Sequence, residues 1–313
     1  MALDATWDWH NIVGRLTLQV GHTPDSYYSA EPSQQGAGGA NASGPSLWKF
    51  IQQAYVGYRF SVGSGLLLQA GIFLSPVGPE GIAVRDSWIW SRSNLFFGLP
   101  FYHTGVRLTY DLTDRWTVTL AGYNGWNSVV DNNDAKSIAA QATYTIKDKL
   151  GVSLLYFSGI ERSKGAPEGP AWRHLFDAHA TWQALPRLQL LLHVNGGFEP
   201  NALGTTGWVA SALYVRVKLL DQLFIAVRGD VLREFLPQGA SAIFFPAPWV
   251  SSGTATVDFR PVDRVSFRLE YRHDEAGAPI YFRGAVQTDA TTLAFLPNAN
   301  RQDTLTAGIT TWF

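Results

Sequence analysis

The chain has 313 residues, 24 basic and 25 acidic side chains, a formal net charge of −1, and only 16% charged residues. That balance gives no electrostatic footprint for nucleic acid, and 46% hydrophobic residues exclude a disordered chain. The absence of cysteine excludes a disulfide scaffold, a thiolate metal site and a cysteine nucleophile, and no apolar run reaches the roughly 18 residues of a membrane helix.

The N-terminal segment from Met1 to Trp7 has no basic stretch followed by an apolar core, so it does not read as a signal peptide. A single methionine, at position 1, fits a mature chain with an added Met1. From there the side-chain pattern has period two, which places alternate residues on opposite faces of a strand.

The first strand is predicted over 13–22, where Leu16, Leu18 and Val20 alternate with Arg15, Thr17 and Gln19. Strands follow over 47–60, 65–76, 101–112, 115–126, 135–147, 149–159, 171–184 and 186–197. The series continues over 205–219, 222–234, 249–260, 264–274 and 302–313. The clearest case is Val265, Phe267, Leu269 and Tyr271 against Ser266, Arg268, Glu270 and Arg272. These strands exceed the usual length of about 5–6 residues and match the roughly 9–11 needed to cross a bilayer at a tilt.

Short connections, such as Thr113-Asp114 and Leu220-Asp221, alternate with long ones near 23–46, 77–100 and 275–301. Short periplasmic turns, long external loops and an even strand number define a transmembrane antiparallel up-and-down β-barrel. The expectation is one barrel domain over 1–313 with about fourteen strands, twelve or sixteen being the alternatives, and both termini periplasmic. The apolar series lacks charged residues, as a lipid-facing wall requires. Trp116, Trp126, Trp172, Trp182, Trp208, Trp249 and Tyr156 lie near strand ends, where aromatic belts form. A soluble barrel with an apolar interior is the competing reading, but about eight strands is the filled size.

The polar faces then line the lumen. Nine basic residues (Arg15, Arg59, Arg107, Arg216, Lys218, Arg228, Arg260, Arg268, Arg272) stand against Asp177, Asp230, Asp258 and Glu270. A basic interior enriches anions, weakly because of screening. Loop 77–100 is too apolar for a solvent loop. Folded into the barrel mouth as a constriction, it would bury Trp88, Trp90, Phe96 and Phe97 and leave Arg85 and Arg92 to face the pore; a lid packed on top of the barrel is the alternative. The stretch 29–46 is rich in Gly, Ala, Ser, Gln and Asn, for which mobility is the default. Loop 275–301 carries two apolar patches that fit inward folding or a partner.

The final strand ends on Phe313 after alternating apolar residues, which resembles the signal read by the barrel-assembly machinery. The segment 55–126 resembles the outer-membrane β-barrel porins called OmpL-like. The matching residues are Ala70-Gly71-Ile72-Phe73, Pro76-Val77-Gly78 with Glu80, and Trp90-Ser91-Arg92-Ser93. They continue with Pro100-Phe101-Tyr102-His103-Thr104-Gly105-Val106-Arg107 and Asn124-Gly125-Trp126. The resemblance implies a porin in the bacterial outer membrane but no particular solute.

Enzyme readings find no motif. His103, His179 and His193 fall on the lumen face by parity, and Asp131-Asn132-Asn133-Asp134 lacks the spacing of a calcium loop. No catalytic residue, metal or cofactor is expected. The expected function is a water-filled channel for small hydrophilic solutes with a weak anion preference. The alternatives are a plugged barrel that docks a partner protein and a channel for a hydrophobic substrate. The expected surroundings are outer-membrane lipid and no nucleic acid, with the oligomeric state open.

Overall fold

The computed structural model describes residues 1–28, 31, 45–130, 135–162 and 165–313. Most of the 29–46 stretch and the run Asp131–Asp134 lie outside these residues. Fifteen strands form one antiparallel sheet in which each strand pairs with its sequence neighbour. They are β1 Ala2–Trp9, β2 Ile12–Gln19, β3 Ile51–Phe60, β4 Leu66–Leu74, β5 Tyr102–Asp111, β6 Trp116–Tyr123, β7 Ser137–Ile146 and β8 Leu150–Ile160. The sheet continues with β9 Trp172–Leu185, β10 Leu188–Asn201, β11 Gly204–Leu220, β12 Leu223–Phe235, β13 Trp249–Val262, β14 Val265–Ala276 and β15 Arg301–Thr311.

The outer wall is apolar and exposed: Leu120, Leu154, Phe176, Leu213 and Leu269 each show more than half of their surface. Polar residues on the other face, among them Thr17, Gln69, Thr256 and Ser266, are buried. This inverts the soluble arrangement and suits a wall whose solvent is hydrocarbon.

The extra strand relative to the predicted fourteen is β1. It forms a hairpin with β2 through His10 and Asn11, with His10 in the left-handed region at φ 56°. Leu3, Ala5, Trp7 and Trp9 fall on its outer face and Asp4, Thr6 and Asp8 on the inner one, by register with β2. The Trp7 ring lies over Gly14, where a Cβ would stand 2.0 Å from it. This strand carries Met1 to the long-loop end, where its ammonium donates to Val20 O at 2.9 Å. Phe313 follows β15 at the turn end. The even count had put both termini at the turns; the odd count separates them. β1 and β15 are the two edges of the sheet, run in the same direction, and are not paired with each other among the described residues.

Three of the end aromatics, Trp116, Trp172 and Trp182, are exposed on the outer wall. Trp208 is not part of that belt. It is buried in the interior against Phe73, Tyr123, Phe157 and Leu175, with Trp126 packed at the edge of the same cluster.

The lipid-facing wall makes a direct prediction. Leu120→Arg lowers stability by about 2–4 kcal/mol in lipid vesicles, whereas Thr119→Arg, on the inner face, costs much less. Denaturant unfolding of both variants checks this; equal losses would contradict the assignment of faces.

Candidate functional site: the lumen and its inward loop

The segment between β4 and β5 crosses the lumen. It contains a 3-10 turn, Val84–Asp86, and one short helix, α1 Asn94–Phe97. Ser93 caps α1 by accepting the Phe96 N–H at 3.2 Å, and it donates its own N–H and hydroxyl to Glu80. A loop in the interior must find partners for its backbone, because unpaired buried amides are costly. The wall supplies them with charged side chains.

Glu270 on β14 accepts the N–H groups of Trp90 at 2.6 Å and Ser91 at 2.9 Å. Asp230 on β12 accepts the Asn94 backbone N–H at 3.0 Å and its side-chain amide at 2.9 Å. Arg228 donates to Ser91 O at 2.9 Å and to Arg92 O at 3.2 Å, and Arg272 also donates to Arg92 O. Arg268 donates to Val84 O at 2.9 Å, and Asp177 on β9 accepts the Gly78 N–H at 3.2 Å. Trp90 packs on the inner wall over Gly308, where a Cβ would stand 2.4 Å from its ring.

The loop residues divide accordingly. Trp88 is half-buried against the cluster formed by Ile89, Leu95, Tyr214 and Val250. Phe96 packs against Phe101 with tilted rings and centroids 5.0 Å apart, and Phe97 is half exposed. Arg85 is exposed and contacts Asp86 at 3.2 Å. Arg92 was expected to face the pore, but its guanidinium donates to the carbonyls of Gly81, Ile82 and Trp90 at 3.0–3.1 Å. Burial lowers its pKa, with Glu80 acting in the opposite direction.

The thirteen wall residues named from the sequence all sit on strands with their inner-face parity, but they do three different things. Arg228, Asp230, Asp258, Arg268 and Glu270 are buried. All of them except Asp258, together with Asp177 and Arg272, touch the loop as described. Arg15, Lys218 and Arg260 are held by Asp4 at 2.6 Å, Asp221 at 2.8 Å and Asp258 at 2.7 Å. Arg59, Arg107 and Arg216 have no carboxylate partner among the described residues. Arg107 instead bonds Gln69 at 2.7 Å and lies 4.3 Å from the Phe73 ring centroid.

The register adds inner-face charges that the sequence reading omitted: Asp4, Asp8, Asp111, Arg173, Glu199, Glu234 and Asp274. Six acids against one base cancel the excess of five, nine bases against four acids, inferred from the sequence. Glu234 and Asp274 continue the alternation of their strands and were legible there. Asp4 and Asp8 belong to the strand that was missed.

Many of the acids bind loops at the long-loop end. Glu234 accepts the N–H groups of Ile243, Phe244 and Phe245 at 2.8–3.3 Å. Glu199 holds Arg162 at 2.7 Å and Arg173 at 2.9 Å. Glu168 accepts the Ser241 N–H at 2.6 Å, which lowers its pKa. Glu31 accepts the Tyr102 hydroxyl at 2.6 Å and the Val129 N–H at 3.0 Å, while burial raises its pKa. Phe244, from the 236–248 loop, meets Trp208 with centroids 5.1 Å apart.

The histidines serve the wall. His103 is fully buried, contacts Ser75 Oγ at 3.1 Å and Gly125 O at 2.9 Å, and stacks on Tyr123. His193 meets Asp177 at 2.6 Å, and His179 meets it at 3.4 Å. Among the described residues, no group of three His, Cys, Asp or Glu is placed to hold a metal.

The family model described as Putative beta-barrel porin-2, OmpL-like, matches residues 1–311. The anion-selective porin of Comamonas acidovorans superposes with a TM-score of 0.63 at 10% identity, over 100% of this chain and 88% of that one. OmpT of Vibrio cholerae gives 0.61 at 10% identity, over 99% and 88%. The outer membrane channel DcaP of Acinetobacter baumannii gives 0.58 at 13% identity, over 99% and 84%. A search of curated proteins found no match. At these identities the structural likeness shows the fold alone.

The hydrogen bonds from Glu270 generate a prediction. Glu270→Ala leaves the Trp90 and Ser91 amides without acceptors, each worth about 1–3 kcal/mol when buried. Trypsin is then expected to cut the folded variant after Arg92 at least several-fold faster than the wild type. Unchanged cleavage would show that the loop is held by other contacts.

Proposed function

We propose a water-filled channel for small hydrophilic solutes, because the chain belongs to the OmpL-like family of β-barrel porins and its lumen carries three arginines with no carboxylate partner among the described residues. Porins are channels rather than enzymes, and the chain is a bacterial outer-membrane protein. Its apolar wall stands in outer-membrane lipid.

The observation that carries a weak anion preference is the position of Arg59, Arg107 and Arg216. Arg59 and Arg216 lie toward the turn end of their strands, and Arg107 lies at the middle of its strand. The acids nearer the loop end are engaged by loop amides and arginines. Asp8, Asp111 and Asp258 also stand toward the turn end, but the bases Arg59, Arg216, Lys218, Arg260 and Arg268 outnumber them there, so the turn-side half of the inner face keeps a positive excess. Guanidinium groups there attract anions and repel cations. Screening over about 8 Å at physiological salt keeps the effect modest.

The inward loops favour a narrow path. Apolar clusters around Leu99, Phe73 and Trp208, and around Ile89 and Leu95, fill space between the loops and the wall. That packing also suits the alternative of a plugged barrel. Phe313, 94% exposed after the last strand, is available as the signal for the barrel-assembly machinery.

The reversal potential of the refolded chain in a planar bilayer under a KCl gradient tests this reading. A stable conductance with a potential displaced toward chloride is expected. Replacing Arg59, Arg107 and Arg216 together by Gln should move it toward zero. A cation-selective wild type would overturn the anion preference, and no conductance from folded protein would favour the plugged barrel.

A further inference from the structure

We propose that Arg216, Arg260 and Arg268 form a binding subsite for a doubly charged oxyanion of the phosphate class on the turn side of the constriction loop. The proposal rests on the reading of the turn-side lumen as a path for solutes, and it goes beyond general anion preference by naming a place and a ligand.

The sheet register builds the subsite. Phe224 on β12 pairs with Asp258 on β13, which pairs with Arg268 on β14. Arg216 lies on β11 and Arg260 two residues beyond Asp258, on the same inner face. The Arg216 guanidinium lies 4.2 Å from the Phe224 ring centroid and that of Arg260 lies 5.4 Å from it. One aromatic ring therefore holds two cationic forks near each other.

The charges do not balance. Asp258 is the carboxylate of this group; it accepts the Arg260 fork at 2.7–2.9 Å and the Ser266 hydroxyl at 2.6 Å, and Arg268 Nε lies 3.5 Å away as an ion pair without a hydrogen bond. Three guanidinium groups around one carboxylate leave an excess of two. Arg216 has only a 3.4 Å contact with Gln189 as a polar partner among the described residues. Arg268 is 3% exposed, and its Nε and Nη2 have no hydrogen-bond acceptor among the described residues. Buried charged donors normally have acceptors, so these unused donors point to a missing anionic partner.

The front of the group is reachable. Arg216 and Arg260 are half-buried rather than buried, while Arg268 donates to Val84 O and so marks the underside of the loop. Planar guanidinium forks suit a multidentate oxyanion better than a halide, because each fork donates parallel hydrogen bonds. An excess charge of two favours a dianion over a monovalent carboxylate.

Calorimetric titration of the refolded full chain in detergent with inorganic phosphate at about pH 8, where the dianion dominates, tests the subsite. Saturable binding is expected, at least ten-fold weaker for formate. Arg216→Gln and Arg260→Gln should each weaken phosphate at least ten-fold, Arg216→Lys by less, and Arg233→Gln, on the outer face at the opposite end, not at all. Heat-modifiable migration on gels identifies folded variants, and Arg216→Lys with Arg260→Gln carries the test if Arg216→Gln does not fold. Non-saturable binding to the wild type, or unchanged binding in both Gln variants, would overturn the proposal. The titration does not need conductance. A chain that conducts chloride but does not bind phosphate loses the subsite alone, and a chain that binds phosphate but does not conduct loses the channel reading alone.

Discussion

Hydrocarbon offers no hydrogen bonds, and that one constraint organises this molecule. A strand in lipid must find every backbone partner in neighbouring strands, and its outer side chains must be apolar. With a side-chain period of two, each apolar residue placed outside sends a neighbour inward. Leu269 outside thus implies Arg268 and Glu270 inside, and Val227 outside implies Arg228. The lumen becomes a dense collection of polar and charged groups, which then need partners of their own.

Those partners come largely from loops. Carboxylates on the inner wall accept backbone amides: Glu270 from Trp90 and Ser91, Asp230 from Asn94, Glu234 from the 243–245 run. Arginines donate to loop carbonyls in the same places. A charge that reads as part of a wet channel wall is, in the loop-side half, a structural anchor. Toward the turn end, Arg59 and Arg216 have no carboxylate partner among the described residues. Position along the axis, rather than net charge, therefore decides what each charged residue does.

Much of this was legible in the sequence. Period-two alternation located fourteen of the fifteen strands, and the short-long order of connections gave the topology. The apolar character of 77–100 pointed to an inward loop. β1 was missed although Leu3, Ala5, Trp7 and Trp9 alternate with Asp4, Thr6 and Asp8; the strand is short and ends in a two-residue turn, so it reads as a tail. The role of Arg92 was not legible, because the parity argument does not apply to a loop, and the carbonyls it binds come from Gly81, Ile82 and Trp90. Which charges meet water and which hold loops was also out of reach. That depends on contacts between residues as far apart as Ser91 and Arg228, which alternation does not encode. Trp208 shows the same limit: its position near a loop mouth suited the aromatic belt, but its parity turns it inward.

On the proposed reading, charge is sorted along the barrel axis. Crystals soaked in bromide test it most directly, since anomalous scattering locates the anion. Bromide peaks are expected in the turn-side lumen beside Arg59 or Arg216, and none against Arg228 or Arg272 above the loop. Bromide concentrated in the loop-side half, or bromide absent from a solvent-filled lumen, would contradict it.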